Sequence, residues 1–293
     1  MKILLLGASG QLGQSILSVK NAADQGYLIP THQECDISDY KSLEDYITQH
    51  EDIALIINAA AYTDVTGAEK DPKTANLINE RGASFIARQC KLYKIPLIHI
   101  STDYIFDGAQ PKGVGYTEAD KTNPVNAYGQ SKLGGEKAIQ ATLDHYIILR
   151  SSWIFGQNKN NFLKTVLHLA REKQELEIIA DQFGSPTPSD DLANTIVILS
   201  KKILSQPETV EWGIYHYAGQ PSASWYELAV EIVNCAKEKG ICPPSVQLKA
   251  VKSHDGYSIV KRPQNSVLDC KKIMNVFGID QPDWKKAIDT IIK

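Results

Sequence analysis

Short, wholly apolar runs alternate with helix-patterned stretches through the first half of the chain. Ile3–Leu6 is such a run and ends in Gly7-Ala8-Ser9-Gly10-Gln11-Leu12-Gly13. Leu55-Ile56-Ile57-Asn58, Leu97-Ile98-His99-Ile100 and Tyr146-Ile147-Ile148-Leu149 repeat the pattern, and Tyr27–Thr31 is a further strand candidate. Runs of this kind are expected of strands buried on both faces of a parallel sheet. Between them, a helix is expected from about Gln11. Ser38 is placed to cap another through Leu43, Tyr46 and Ile47. Asn79 is placed to cap a third, whose Ala83, Ile86, Ala87 and Cys90 fall at i, i+3, i+4 and i+7. Strand–helix alternation at this pitch predicts βαβ units and a doubly wound parallel α/β sheet of the Rossmann kind.

The second half is less regular. Asn161–Lys173 reads as a helix with Phe162, Val166, Leu167 and Ala170 on one face. Thr187-Pro188-Ser189-Asp190 reads as a helix start with a capping hydroxyl, and Ser224-Trp225-Tyr226-Glu227 as a capping box. Gly213–Tyr217 is expected to return to the sheet. The expected division is a dinucleotide-binding part, 1–154 with 190–219 returning to it. A smaller, mixed α/β substrate-binding part comprises 155–189 and 220–293. The chain has no low-complexity linker, so the two parts should pack tightly.

Composition narrows the function classes. The 293 residues are 43% hydrophobic and 22% charged, enough for a full core. A net charge of −3 without charge blocks argues against a nucleic-acid or anionic-membrane partner. The five cysteines are scattered and never spaced as CxxC, which argues against a disulfide framework or a zinc site. The apolar run at the start stops at Gly7, too short for a secretory signal, and no window is as long as a membrane span. A cytoplasmic location is the expectation.

Three stretches carry chemistry. Gly7, Gly10 and Gly13, with Gln11 and Leu12 between the last two, lie where a strand ends and a helix begins. Glycines there let the backbone approach a pyrophosphate at a helix N-terminus, although the spacing is GxxGxxG rather than GxGxxG. About twenty residues on, NAD-binding folds place an acid for the ribose. Here Leu28-Ile29-Pro30-Thr31-His32-Gln33 has none, and no arginine either. That leans towards NADPH with NADH left open. Asp36 is the next acid, suited equally to an adenine amino group or to a turn or cap. Thr102 and Asp103 follow the fourth strand, where groups line the binding crevice. Thr102 can donate to a carbonyl oxygen gaining charge. Tyr128 and Lys132, four residues apart, share one helix face. A tyrosine titrates near ~10. A neighbouring ammonium is expected to lower that value and make Tyr128 a proton donor at neutral pH.

With these residues in hand, the chain resembles the extended short-chain dehydrogenase/reductase family, and within it the dTDP-4-dehydrorhamnose reductases. Asn58-Ala59-Ala60-Ala61-Tyr62-Thr63, Ser101-Thr102-Asp103-Tyr104-Ile105-Phe106, Asn123-Pro124-x-x-x-Tyr128-Gly129-x-x-Lys132, Arg150-Ser151-Ser152-Trp153, Asn160-Asn161-Phe162, Asp181-Gln182-Phe183-Gly184-Ser185-Pro186-Thr187 and Arg262-Pro263-x-x-Ser266-x-Leu268-Asp269 carry the resemblance. It implies NAD(P)H-dependent reduction of the C4 ketone of a dTDP-linked 4-keto-6-deoxy sugar to dTDP-L-rhamnose. In that reading Tyr128 protonates the alkoxide, and Lys132 holds the nicotinamide ribose and lowers the tyrosine pKa. Thr102 orients the carbonyl, while Asp103, Trp153 and Arg262 meet the substrate. Asp36 and Ile37 bind adenine, and Ala60, Ala61 and Tyr62 line the cofactor. The chain departs from the family pattern at Thr66, where an acid is usual, and at Lys159, where a glycine is usual. Some relatives dimerise around magnesium. Gln14 and Ser15 offer no acid in the first helix, so no metal residue is assigned, and magnesium and a homodimer stay open. So do a reductase of another nucleotide-linked 4-keto sugar and a non-catalytic subunit like that of methionine adenosyltransferase.

Overall fold

The computed structural model describes residues 1–19, 26–253 and 260–293. Strands β1 (Lys2–Leu6), β2 (Tyr27–Leu28), β3 (Ile53–Asn58), β4 (Leu97–Thr102) and β5 (Tyr146–Ser151) join Gly213–His216 in one six-stranded sheet. The order is Gly213–His216, β5, β4, β3, β1, β2, with every neighbouring pair parallel. The pleat sends alternate side chains to opposite faces. Ile3, Leu5, Leu55 and Ile57 enter one core, and Leu4, Leu6 and Ile56 the other. Both faces are dry, so these strands read as unbroken apolar runs rather than alternating ones.

The helices are α1 (Gln11–Ser18), α2 (Tyr40–Thr48), α3 (Val65–Lys70), α4 (Pro72–Asn76), α5 (Ala83–Tyr93), α6 (Ala127–Thr142), α7 (Phe162–Glu172), α8 (Ser189–Ser205), α9 (Trp225–Glu238), α10 (Lys271–Phe277) and α11 (Trp284–Ile291). Ile16 of α1 and Leu192 and Ile196 of α8 cover one face of the sheet, while Leu43 of α2 and Ile86 and Ala87 of α5 cover the other. A third core gathers Phe155, Leu163, Val166, Leu228, Ile232 and Trp284 from α7, α9, α11 and the segment after β5. Beside it Glu175–Ile179 and Gln247–Val251 pair in parallel. Among the described residues no helix is long and apolar enough to cross a membrane.

The fold agrees with the expected α/β architecture, and Gly213–His216 does return to the sheet beside β5. Ser224 forms the expected capping box: Glu227 N donates to Ser224 Oγ at 3.1 Å, and Ser224 N donates to Glu227 Oε2 at 2.6 Å. Four local expectations are corrected. β2 stops at Leu28, ahead of Pro30, which cannot donate to a ladder. Asp39 rather than Ser38 caps α2, accepting from Lys41 N and Ser42 N. Asn79 caps nothing: it lies in a π-helical turn, Leu77–Gly82, that runs from α4 into α5. α8 starts at Ser189 with no side-chain cap, because the Thr187 hydroxyl donates to Ser185 O at 3.1 Å instead.

Candidate active site

A cleft of about 830 Å³ opens over the carboxyl ends of β1, β3, β4 and β5. β1 and β3 are where the strand order turns back, the place at which open α/β sheets hold ligands. The glycine loop forms its floor. Gly7 holds φ +84°, and a Cβ there would sit 2.5 Å from Ala60 N. Gly13 does not line the cleft; a Cβ on it would press into Ala8 Cα at 2.6 Å, so it serves strand–helix packing. Gly10 is different, since its Cβ would meet only Gly7 O, at 3.2 Å. The space beside it is cleft, kept clear by the missing side chain. α1 starts there without a side-chain cap or an acid in its first turn. Backbone N–H groups and the positive end of a helix dipole suit an anion at such a terminus. The cradle therefore fits a dinucleotide's pyrophosphate. Gln11, Leu12, Ala60, Ala61 and Ile37 also line the cleft.

Two other expected cofactor residues stand back from it. Asp36 spends one carboxylate oxygen on Ser38, accepting from its N at 2.8 Å and its Oγ at 2.7 Å. Cys35 and Ile37 line the cleft, and Asp36 itself does not. The turn role thus accounts for the carboxylate oxygen that is engaged. Tyr62 is also outside the lining. Its N donates to Asn79 Oδ1 at 2.8 Å, and Asn79 Nδ2 donates to Tyr62 O at 3.0 Å. The same Nδ2 reaches Ser131 Oγ at 2.9 Å, and Ser131 Oγ donates to Tyr128 O at 2.8 Å. The loop beside the glycines is thereby wired to α6, the helix of Tyr128. This explains why Asn79 is not free to cap, and π turns often occur at functional sites.

Tyr128 and Lys132 lie on α6, which is anchored in several places. Asn126 Oδ1 accepts from Gly129 N at 2.8 Å, and its amide donates to Lys261 O at 3.0 Å, next to Arg262. Ala127 N donates to Glu69 Oε1 at 2.7 Å. One turn beyond Lys132, Arg150 of β5 pairs with Glu136 at 2.7 Å, both side chains almost fully buried. Breaking one partner of such a pair typically costs about 3–5 kcal/mol.

Thr102 ends β4 opposite the helix. Its hydroxyl donates to Asp103 Oδ1 at 3.2 Å and accepts from Tyr104 N at 3.2 Å. Asp103 is 2% exposed and its Oδ2 has no partner. Burial pushes its carboxyl up to about 7, with the hydrogen bond from Thr102 among the influences that oppose it. Lys132 is 3% exposed and donates from Nζ to Ile100 O at 2.7 Å. Burial lowers it to about 8. The expectation that Lys132 lowers Tyr128 is corrected here. Burial raises the Tyr128 phenol above its ordinary value, and the influence that opposes this comes from the Thr102 hydroxyl. Desolvating a phenolate outweighs a lysine whose ammonium is itself desolvated and turned to the Ile100 carbonyl.

The far wall comes from elsewhere in the chain. Trp153 holds φ +46° and stacks on Trp225, with centroids 3.5 Å apart and planes 7° apart. Phe162 packs on Trp225 at 4.6 Å. Gly184 leaves room for the Trp153 ring, since a Cβ there would lie 2.7 Å from its Nε1. Arg262 lines the cleft with its Nε buried and unpartnered. It sits beside Tyr104, whose phenol burial pushes up to about 12 while Arg262 opposes. The sequence pointed to neither Trp225 nor Leu228, and Asn161 and Phe162 stood in a family string without a site role; all four line the cleft. Trp225 had one local signal, an aromatic in the first helical position directly after the Ser224 cap.

The whole chain, residues 1–293, matches the family model described as RmlD substrate binding domain. It is 38% identical to the dTDP-4-dehydrorhamnose reductase of Aggregatibacter actinomycetemcomitans, over 99% of this chain and 98% of that one. It is 34% identical to the Escherichia coli (strain K12) protein of the same name, over 100% and 97%. The crystal structure of dTDP-4-dehydrorhamnose reductase from Bacillus anthracis in complex with NADP superposes with a TM-score of 0.88 at 30% identity, covering 99% and 98%. With its full length matched and its fold shared, this chain belongs to the RmlD substrate-binding-domain family.

Proposed function

We propose that this protein is an NADPH-dependent reductase of dTDP-4-dehydro-6-deoxy-L-mannose, forming dTDP-L-rhamnose. The observation that carries it is the convergence of Thr102, Tyr128 and Lys132 on one cleft above a glycine cradle. The relatives' shared name and the NADP in the B. anthracis structure support the substrate and the cofactor. Gly7, Gly10, Gln11, Leu12, Ala60 and Ala61 would hold the dinucleotide, which supplies the hydride when bound. Lys132 would face its ribose.

The chain's own part is to place a carbonyl and give it a proton. Tyr128, kept neutral by its raised pKa, delivers a proton to the oxygen at C4 as charge develops there. Thr102 donates a hydrogen bond to the same oxygen. In the geometry described, its single proton is spent on Asp103. A protonated Asp103, with a pKa of about 7, needs no donor from Thr102 and frees that hydroxyl for the substrate. Trp153 bounds the sugar and Arg262 offers a guanidinium to its diphosphate. The reading takes the chain as two working parts, 1–154 with 190–219 and 155–189 with 220–293; Leu163, Leu228 and Trp284 of the second part form the third core, while its Leu268, Cys270 and Ile273 pack into the first sheet core. A cytoplasmic setting suits such an enzyme.

The test is incubation of the purified chain with NADPH and the dTDP-linked 4-keto-L sugar, with NMR of the product. Reduction at C4 to dTDP-L-rhamnose is expected. Turnover only with another nucleotide-linked 4-keto sugar, or none with any, would sink the assignment.

A further inference from the structure

Among the described residues, three non-glycine residues hold a positive φ: Lys94, Trp153 and Lys159. Lys94 ends α5 as an ordinary left-handed cap. The other two line the cleft. A left-handed backbone is unfavourable for any residue with a Cβ, and such outliers gather where function requires them. Lys159, at φ +56°, sits on the turn between Phe155 and α7. One side chain fastens that turn. Asn161 Nδ2 donates to Gly156 O at 2.8 Å, to Asn158 O at 3.4 Å and to Gln11 Oε1 at 3.0 Å. Gln11 is the first residue of α1. The turn is thereby pinned to the end of the glycine loop, and Lys159 is held on the cleft wall beside it.

The charges around it are uneven. Lys159 is exposed, and among the described residues no carboxylate is paired with it. Of the other cations of the cleft wall, Lys132 is turned to the Ile100 carbonyl, while Arg262 stands beside Tyr104 with its Nε buried. Gly7–Gly13 carries no charged side chain. An anion on this side of the cleft has backbone groups and one free ammonium to meet.

We propose that Lys159 is a diphosphate-binding residue, its ammonium presented by the turn that Asn161 pins to Gln11. The inference rests on the functional reading above, in which the cleft takes two diphosphates, one in the dinucleotide and one in the sugar nucleotide. Attachment to α1 favours the dinucleotide's. A lysine acts there as a mobile point charge rather than a bidentate fork, so its contribution is salt-sensitive.

Calorimetric titration of NADPH and of dTDP into wild type, Lys159→Gln and Lys159→Gly, at low and high salt, tests this. Lys159→Gln is expected to weaken NADPH about 5-fold at low salt, the scale of one partly exposed charge contact, with the gap narrowing at high salt. Lys159→Gly should show the same loss with a melting temperature no lower than wild type, since glycine accepts the left-handed backbone. A loss confined to dTDP still supports a diphosphate contact and moves it to the sugar nucleotide. Unchanged affinity and salt dependence for both ligands, beside a tightly binding wild type, overturns the inference alone. A wild type that binds neither ligand overturns the functional reading and this inference with it.

Discussion

The two walls of the cleft are built by different means. On the glycine-loop side, ligand space is made by absent side chains and by backbone: Gly7 tucks against Ala60, Gly10 leaves the cleft open, and α1 offers its uncapped end. On the opposite side, space is bounded by large side chains from distant segments, Trp153 on Trp225 on Phe162. The first wall is one seven-residue loop set against the Ala59–Ala60 backbone. The second exists only once the third core has folded. A backbone wall recognises what all dinucleotides share, whereas a side-chain wall can be recut residue by residue for one sugar.

Substitutions on the two walls should therefore fail separately. The largest effect is expected from Gly10→Val, which fills cleft space beside Gly7 O. NADPH affinity should fall by about 100-fold or more as the backbone's approach to the pyrophosphate is blocked, while dTDP still binds. Equal loss of both ligands in titration would mean the loop is structural. Trp225→Ala should do the reverse. Losing the stack, worth about 0.5–1.5 kcal/mol beyond burial, should raise KM for the sugar by about 10-fold with NADPH affinity held. Trp225→Phe should restore most of it. An unchanged KM in Trp225→Ala would remove this wall from sugar recognition.

The smallest effect concerns Asp103, directly after β4. Its folded-state pKa is raised from 3.8 to about 7, so the folded protein holds the extra proton across that window. The contribution to stability is full below the unfolded value and is lost as pH rises through about 7. Melting temperature should drop by a few degrees over that range in wild type and stay flatter in Asp103→Asn. Parallel curves would show that the carboxyl ionises normally.

The same contrast explains what the sequence disclosed. Apolar runs such as Ile3–Leu6 were readable because both sheet faces are dry, and Gly7–Gly13 because its chemistry is confined to seven residues. Ser224 and Glu227 announced their box because both partners lie within one turn. The Glu175–Ile179 and Gln247–Val251 pair was not readable: both strands are short and largely solvent-facing, so neither shows a clean pattern. Asn79 misled because its residue type fits a cap, while its true partners, Tyr62 and Ser131, are brought close by the fold. Trp225 was hidden for the same reason, its role arising from a stack with a residue far along the chain. The Tyr128–Lys132 spacing was plain, but its electrostatics depended on a burial that no spacing reports.

The central claim is that Tyr128 gives the proton at a carbonyl placed by this cleft. Single-turnover oxidation of NADPH by Tyr128→Phe in the presence of the dTDP-4-keto sugar tests it most directly. A fall of about 100- to 10,000-fold in the rate, with NADPH and dTDP affinities within about 2-fold of wild type, is the predicted result. A rate equal to wild type would contradict the account.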